Sequence, residues 1–177
     1  SQAEDALNIV NGELSIRKMN IMRSKSDAFD CDFCKGLISN LNLEDIGGDG
    51  LHISGSTINA VISKANNVKD KVVSIGEESI TKLSINSVKN SYLAAAIKDG
   101  SQAEIKLNNI QTYGPLAMSY LKKDFYDKNT ITNIYFDDNG IEDISNKFLA
   151  GKKTIMKINN KLLNSKDIDV KKLYEVG

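Results

Sequence analysis

Phe29 and Cys31 are followed, 22 residues on, by Leu51 and Ile53, and this offset runs through most of the chain. Leu7, Phe29, Leu51, Val73, Ala95 and Ala117 form one column at that spacing; Ile9, Cys31, Ile53, Ile75, Ile97 and Ser119 form a second, two positions later. Apolar positions two apart have the period of a strand, where alternate side chains share a face. A third column, Ile21, Leu43, Ala65, Val88 and Ile110, contains one step of 23. The extra residue lies in the Gly76-Glu77-Glu78 turn, and a shorter corner restores the register by Ala95. Between these columns, Ile58-x-Ala60-x-Ile62, Leu83-x-Ile85 and Ile105-x-Leu107 repeat the alternation. Each unit therefore offers three short strands. The turns between them are rich in Gly, Ser, Asn and Asp, which accept positive φ or bond to their own backbone. A helical solenoid is disfavoured by the period of two and by this turn composition.

One such unit cannot bury its apolar side alone, so units must stack as parallel strands about 4.8 Å apart. The fold class predicted is all-β: a single-stranded, right-handed parallel β-helix solenoid of six to seven coils, about 22 residues each. The hand follows from the rule for parallel crossover connections. Residues 1–177 are read as one domain, with regular coils over about 5–121 and a loop thrown out at 122–129. Irregular final coils and a C-terminal cap fill 130–177, with Thr154–Ile158 and Asp167–Val170 as edge or capping strands. Nine of the eleven aromatic residues lie from Tyr92 onward, and a cap plugging the apolar end is preferred to a sugar platform. At the other end Ser1–Glu4 is too short to cap a coil in which Leu7 and Ile9 are already in register. The chain is therefore expected to be cut from a longer protein, or to meet a partner end to end through that coil.

Composition narrows the function classes. The 23 basic and 23 acidic residues cancel, and only Arg17 and Arg23 are arginine, so no nucleic-acid partner is expected. The longest clean apolar run is Leu93–Ile97, so no segment spans a membrane. Asn-x-Ser/Thr is absent, which fits a bacterial source. Cys31 and Cys34 form a CxxC, but Cys31 falls at an inward strand position rather than at a helix N-terminus. They are read as a small buried residue and its neighbour at a turn. Zinc needs about four ligands, more than this pair and a single histidine supply.

The units Asp27–Gly48, Asp49–Asp70 and Lys71–Tyr92 resemble coils of the right-handed parallel β-helix (pectin-lyase-like) superfamily, over roughly Asp5 to Asn139. The phrases SDAFDCDF, GGDGLHISGS, VSIGEES and AAIKDGS resemble non-catalytic β-helix repeats of bacterial surface proteins, some joined to spore-coat-type kinase domains. The resemblance implies an extracellular or cell-envelope location and a carbohydrate ligand. Polygalacturonase-like members use NTD, DD and GHG motifs on successive coils; here Gly48-Asp49, Asp70-Lys71 and Ser91-Tyr92-Leu93 stand in those places. Two carboxylates and the histidine are missing, so paired acid–base work is unsupported. Pectate-lyase-like members need calcium-binding acids beside a basic residue, and neither arginine falls on the same strand face as the acids.

Asp30 and Asp32 flank inward Cys31 and so point outward, with Asn8 and Val10 one coil below and His52 and Ser54 one coil above. Asp30, Asp32, His52, Asn8 and Ser54 are the candidate ligand-binding residues. Asp30 and Asp32 could hold Ca²⁺ or a sugar hydroxyl, although a solvated polar face that discourages edge pairing is the preferred reading. Asp5, Asp27 and Asp49 stack at a corner, where backbone N–H groups are expected to offset their repulsion. His52 is read as an exposed polar residue, and Asn20, Asn42, Asn86, Asn90, Asn108 and Asn109 as turn formers bonding corner backbone. No catalytic residue and no cofactor besides Ca²⁺ is assigned. The function expected is a non-catalytic module of a bacterial secreted or cell-surface protein, binding a polysaccharide or another protein domain through its outer faces. The alternatives are a polysaccharide lyase, hydrolase or epimerase with an atypical site, and a structural spacer or assembly segment.

Overall fold

In a computed structural model, residues 5–137 and 144–169 are described. The first four coils contribute β1 (Leu7–Val10), β2 (Glu13–Ile16), β3 (Met19–Ser24), β4 (Phe29–Asp32), β5 (Lys35–Ile46), β6 (Leu51–Ser54), β7 (Thr57–Val68), β8 (Lys71–Gly76) and β9 (Ile80–Ser91). They are followed by β10 (Leu93–Lys98), β11 (Gln102–Thr112), β12 (Ala117–Tyr120) and β13 (Thr130–Phe136). A helical turn α1 (Ile144–Lys147) then leads into β14 (Phe148–Ala150), β15 (Thr154–Ile158) and β16 (Lys161–Leu163).

The chain is a β-solenoid of about seven turns. Sheet A has seven strands in the order β1-β4-β6-β8-β10-β12-β14, one per coil. Sheet B runs β16-β15-β13-β11-β9-β7-β5-β2, with β3 also on β5. The first column is the register of sheet A: Leu7 pairs with Phe29, Phe29 with Leu51, Leu51 with Val73, Val73 with Ala95 and Ala95 with Ala117, all in parallel. Phe148 continues it into the seventh coil. Phe29, Leu51, Ile53, Val73 and Ile75 are fully buried, and they face Ile38, Ile58, Ile85 and Ile105 of sheet B across the core. The third column, Leu43, Ala65 and Val88, closes the remaining side. Among the described residues no helix is long and apolar enough to cross a membrane.

Two corners are made by residues in the left-handed region. One uses Phe33, Gly55, Glu77, Glu78, Asp99 and Gly100, and the other Arg23, Asp45, Asn67 and Asn90. Glu77 and Glu78 both adopt φ of 58°, which accommodates the inserted residue and shifts the pairing to Thr57 with Ile80, a step of 23. Just after the first corner runs a ladder of hydroxyls. The Cys34 N–H donates to Ser56 Oγ at 2.7 Å, the Ser56 N–H to Ser79 Oγ at 3.0 Å and the Ser79 N–H to Ser101 Oγ at 3.2 Å. Each buried corner amide is thus satisfied by the coil above it.

The structure departs from the sequence reading in several places. The first coil has the three strands expected, β1, β2 and β3, but the second to fifth have two, because β5, β7, β9 and β11 run 11 or 12 residues through the middle corner. Pairing shifts there, between Ile38 and Leu41, but no residue from Ile38 to Glu44 has positive φ, so the strand bends without leaving the ladder. Asn90 forms a corner as read, with φ of 50°, but the asparagine side chains bond one another rather than corner backbone: Asn90 Nδ2 donates to Asn66 Oδ1 at 3.0 Å, Asn42 Nδ2 to Asn20 Oδ1 at 2.9 Å and Asn108 Nδ2 to Asn86 Oδ1 at 2.8 Å. They lie on strands, where parallel register places like side chains one rung apart. Cys31 is buried as read; Cys34, read as its neighbour at a turn, is buried too, and the two are joined as a disulfide. The stretch expected as a loop thrown out at 122–129 is bonded back onto the stack, the Lys122 and Lys123 N–H groups donating to Asp99 Oδ1. Asp167–Asp169 forms no strand, and Val170, like Ser1–Glu4, lies outside the described residues. The antiparallel β16 covers the edge of sheet B, and Phe136 and Phe148 plug the last coil with ring centroids 5.0 Å apart.

Replacing Ser79 by Ala should cost about 1–3 kcal/mol, since it orphans the buried Ser56 amide. Urea unfolding should show a lowered midpoint with an unchanged slope, whereas Ser84→Ala, on the outer side of the β9 strand that follows, should move it little.

Candidate functional site

The outer side of sheet A carries the candidate residues, and the coil register decides which of them meet. Asn8, Asp30, His52 and Ser74 are successive rungs of one outward column. Asn8 Nδ2 donates to Asp30 Oδ2 at 3.3 Å, and His52 Nδ1 lies 3.5 Å from Asp30 Oδ1. The same nitrogen is 3.6 Å from Asp27 Oδ2, so the imidazole is half-buried between two carboxylates rather than exposed. Asp27 belongs to the corner column, and here backbone amides do offset the acids. The Asp49 N–H donates to Asp27 Oδ1 at 2.7 Å and the Lys71 N–H to Asp49 Oδ1 at 3.2 Å. The next rung of that column is Lys71, whose buried Nζ lies 3.0 Å from Asp49 Oδ1 and also pairs with Asp70.

Burial pushes the Asp27 carboxyl up, but the His52 contact and the Asp49 amide outweigh it, leaving this group below the usual carboxylate range. Asp30 goes the other way: burial raises it, with Asp32, Asp5 and Asp27 adding repulsion that His52 only partly cancels. Burial opposes the charge on Lys71, yet Asp49 and Asp70 hold its amine above its ordinary value. The centre therefore sets an imidazole between Asp27 and Asp30 and, one rung on, an amine between Asp49 and Asp70.

A third outward column runs Val10, Asp32, Ser54 and Gly76 and continues to Lys98, beside Tyr120. Ser54 is 5% exposed and Lys98 also 5%, although both point away from the core. Lys98 Nζ donates to Ser74 Oγ at 2.8 Å, and desolvation pushes its amine down to about 8. Farther along, Ala96, Met118 and Tyr120 form an apolar patch against Leu149 and Ile168. The outer face of sheet A is thus polar and open over its first coils and covered over its last.

Among the expected site residues the structure brings together Asn8, Asp30 and His52. Ser54 sits on the neighbouring column, paired with Asp32 in register. Among the described residues, the ligand atoms of Asp27, Asp49 and His52 converge to within 4.8 Å of one another. The Lys71 amine on Asp49 opposes a cation there. Lys71 and Lys98 escaped the sequence reading, although Lys71 occupies the rung directly after Asp49 at the same offset of 22. A second concavity, a shallow groove of about 520 Å³ on the outer side of sheet B, is lined by Leu37, Asn59, Val61, Lys82, Glu104 and Tyr135. Its charged pair, Lys82 and Glu104, is 4.0 Å apart and solvent-exposed. The chain matches no protein-family model, no curated protein and no solved structure.

The lysine shift has a consequence for stability. The unfolded chain holds the Lys98 proton up to its ordinary value of 10.5, and the folded chain gives it up at about 8. Stability contributed at this position therefore rises with pH across that window. Relative to Lys98→Met, the wild type should gain about 3 kcal/mol between pH 8 and 10.5, read from denaturant unfolding of both chains.

Proposed function

We propose that this chain is a non-catalytic solenoid module of a bacterial secreted or cell-surface protein, and that it binds a glycan on the outer face of sheet A. The carrying observation is the His52 imidazole held between Asp27 and Asp30 on a flat, rigid sheet, 3.6 and 3.5 Å from their oxygens. Carboxylate oxygens accept from sugar hydroxyls, and side chains mounted on paired strands lose little freedom on binding. The rungs repeat about every 4.8 Å, so a polymer lying along the stack meets a regular series of polar groups. The Cys31–Cys34 disulfide supports a location outside the reducing cytosol, and the resemblance to pectin-lyase-like coils supports a carbohydrate ligand. A second reading, a lyase, hydrolase or epimerase acting at the same face, is favoured by the buried Lys98 amine, since a lysine neutral near pH 8 can act as a base.

A bacterial glycan panel tests the proposal. Binding without turnover is expected, with Asp30→Asn and His52→Ala each weakening it about tenfold or more, and Tyr135→Ala on sheet B leaving it unchanged. Release of unsaturated uronate or reducing ends would establish the enzyme instead. Absence of both, with concentration-dependent oligomers, would leave a structural spacer. In the location test, protein recovered from the cell surface should show no free thiol until reduced.

A further inference from the structure

We propose that the segment Leu121–Asn129 is a charge-latched cover over a second half of the sheet A face, and that its release presents the Lys98 amine and the Ser74 hydroxyl to an anionic group of a ligand. The segment contains no strand or helix and is tied to the stack by polar contacts. The Lys122 and Lys123 N–H groups donate to Asp99 Oδ1 at 2.7 and 2.9 Å. The Lys123 side chain pairs with Glu77, and Lys128 Nζ lies 2.6 Å from Glu78 Oε2. These acids stand on the left-handed corner residues that end β8 and β10, so the latch is built on the solenoid's own turn geometry. Apolar anchoring is slight, since Phe125 is 73% exposed. Asp99 is buried, but both ion pairs are within reach of solvent, and segments held largely by such bonds with little buried apolar area open at low free energy.

What lies at this corner is polar. Ser74 and Asp99 are almost wholly buried, as is Lys98, and Lys122 stands close enough to disfavour the charge on the Lys98 amine. The charged groups acting on that amine are Asp49, Lys122, Lys71 and Asp99. Lys71 has Asp49 and Asp70 as partners, and the latch lysines have Glu77 and Glu78. The amine of Lys98 donates to Ser74, and among the described residues no carboxylate lies within ion-pair distance of it. An ammonium has three donors, and a buried cation without a contacting counter-ion is costly. A carboxylate brought by a ligand would complete the pair, and lifting the cover would remove Lys122 from beside it. The consequence for ligand binding rests on the reading of sheet A as the ligand face; the opening itself is measured without any glycan.

The experiment is acetylation of the full chain by a small amine reagent, followed by peptide mass mapping, with exposed Lys106 as the internal standard. Lys98 should react at least tenfold more slowly than Lys106 in the wild type. In the Lys123→Ala/Lys128→Ala double variant its rate should rise at least tenfold, with circular dichroism unchanged, and high salt should raise it in the wild type. Equal protection in the double variant, or a wild-type rate matching Lys106, would overturn the cover. In the double variant, millimolar glucuronate should slow Lys98 acetylation where glucose does not. Equal rates with both sugars would overturn the anion contact while leaving the cover standing.

Discussion

Everything in this molecule depends on the parallel pairing of each coil with the next at a fixed offset. Once Phe29 is bonded beneath Leu51, the neighbours of every other residue follow, because a slip by one position would turn the buried columns out to solvent. Backbone bonding therefore does two things. It closes the core, and it converts sequence spacing into side-chain contact, so that residues 22 apart become touching pairs. The hydroxyl ladder at Ser56, Ser79 and Ser101 and the amide pairs of the asparagines are the same rule applied to polar positions.

That rule sets what was readable in the sequence. The columns, the inserted residue at Glu77–Glu78, the inward position of Cys31 and the meeting of Asn8, Asp30 and His52 all follow from counting. The unbroken run of β5 through its bend did not, since Ser39 and Asn40 read as a turn between strands although neither has positive φ. The fold-back of Leu121–Asn129 was hidden for a different reason: its contacts join residues such as Lys123 and Glu77, whose separation of 46 has no place in the repeat. Lys71 was legible and overlooked. The acid column ends at Asp49, and the next rung at the same offset is the lysine that pairs with it.

The disposition of charge separates structure from function on the outer face. A solenoid needs nothing from that side except solubility, and Lys82 and Glu104 on sheet B show what suffices: exposed charges loosely paired in solvent. Sheet A instead keeps Asp49, Lys71 and Lys98 nearly out of water, where each ionised group loses hydration that contacts must replace. In the Asp49–Lys71 pair the contacts outweigh burial for the lysine, whereas burial still holds the Asp49 carboxyl above its ordinary range, and an apolar pair of similar size would have served the fold as well. Lys98 does not recover its lost hydration, because its amine meets a neutral hydroxyl and stands among other lysines. An uncompensated charge at one outward position, beside a carboxylate–imidazole cluster, is the feature on which the proposed ligand face rests, in a structure whose core asks for no charge at all.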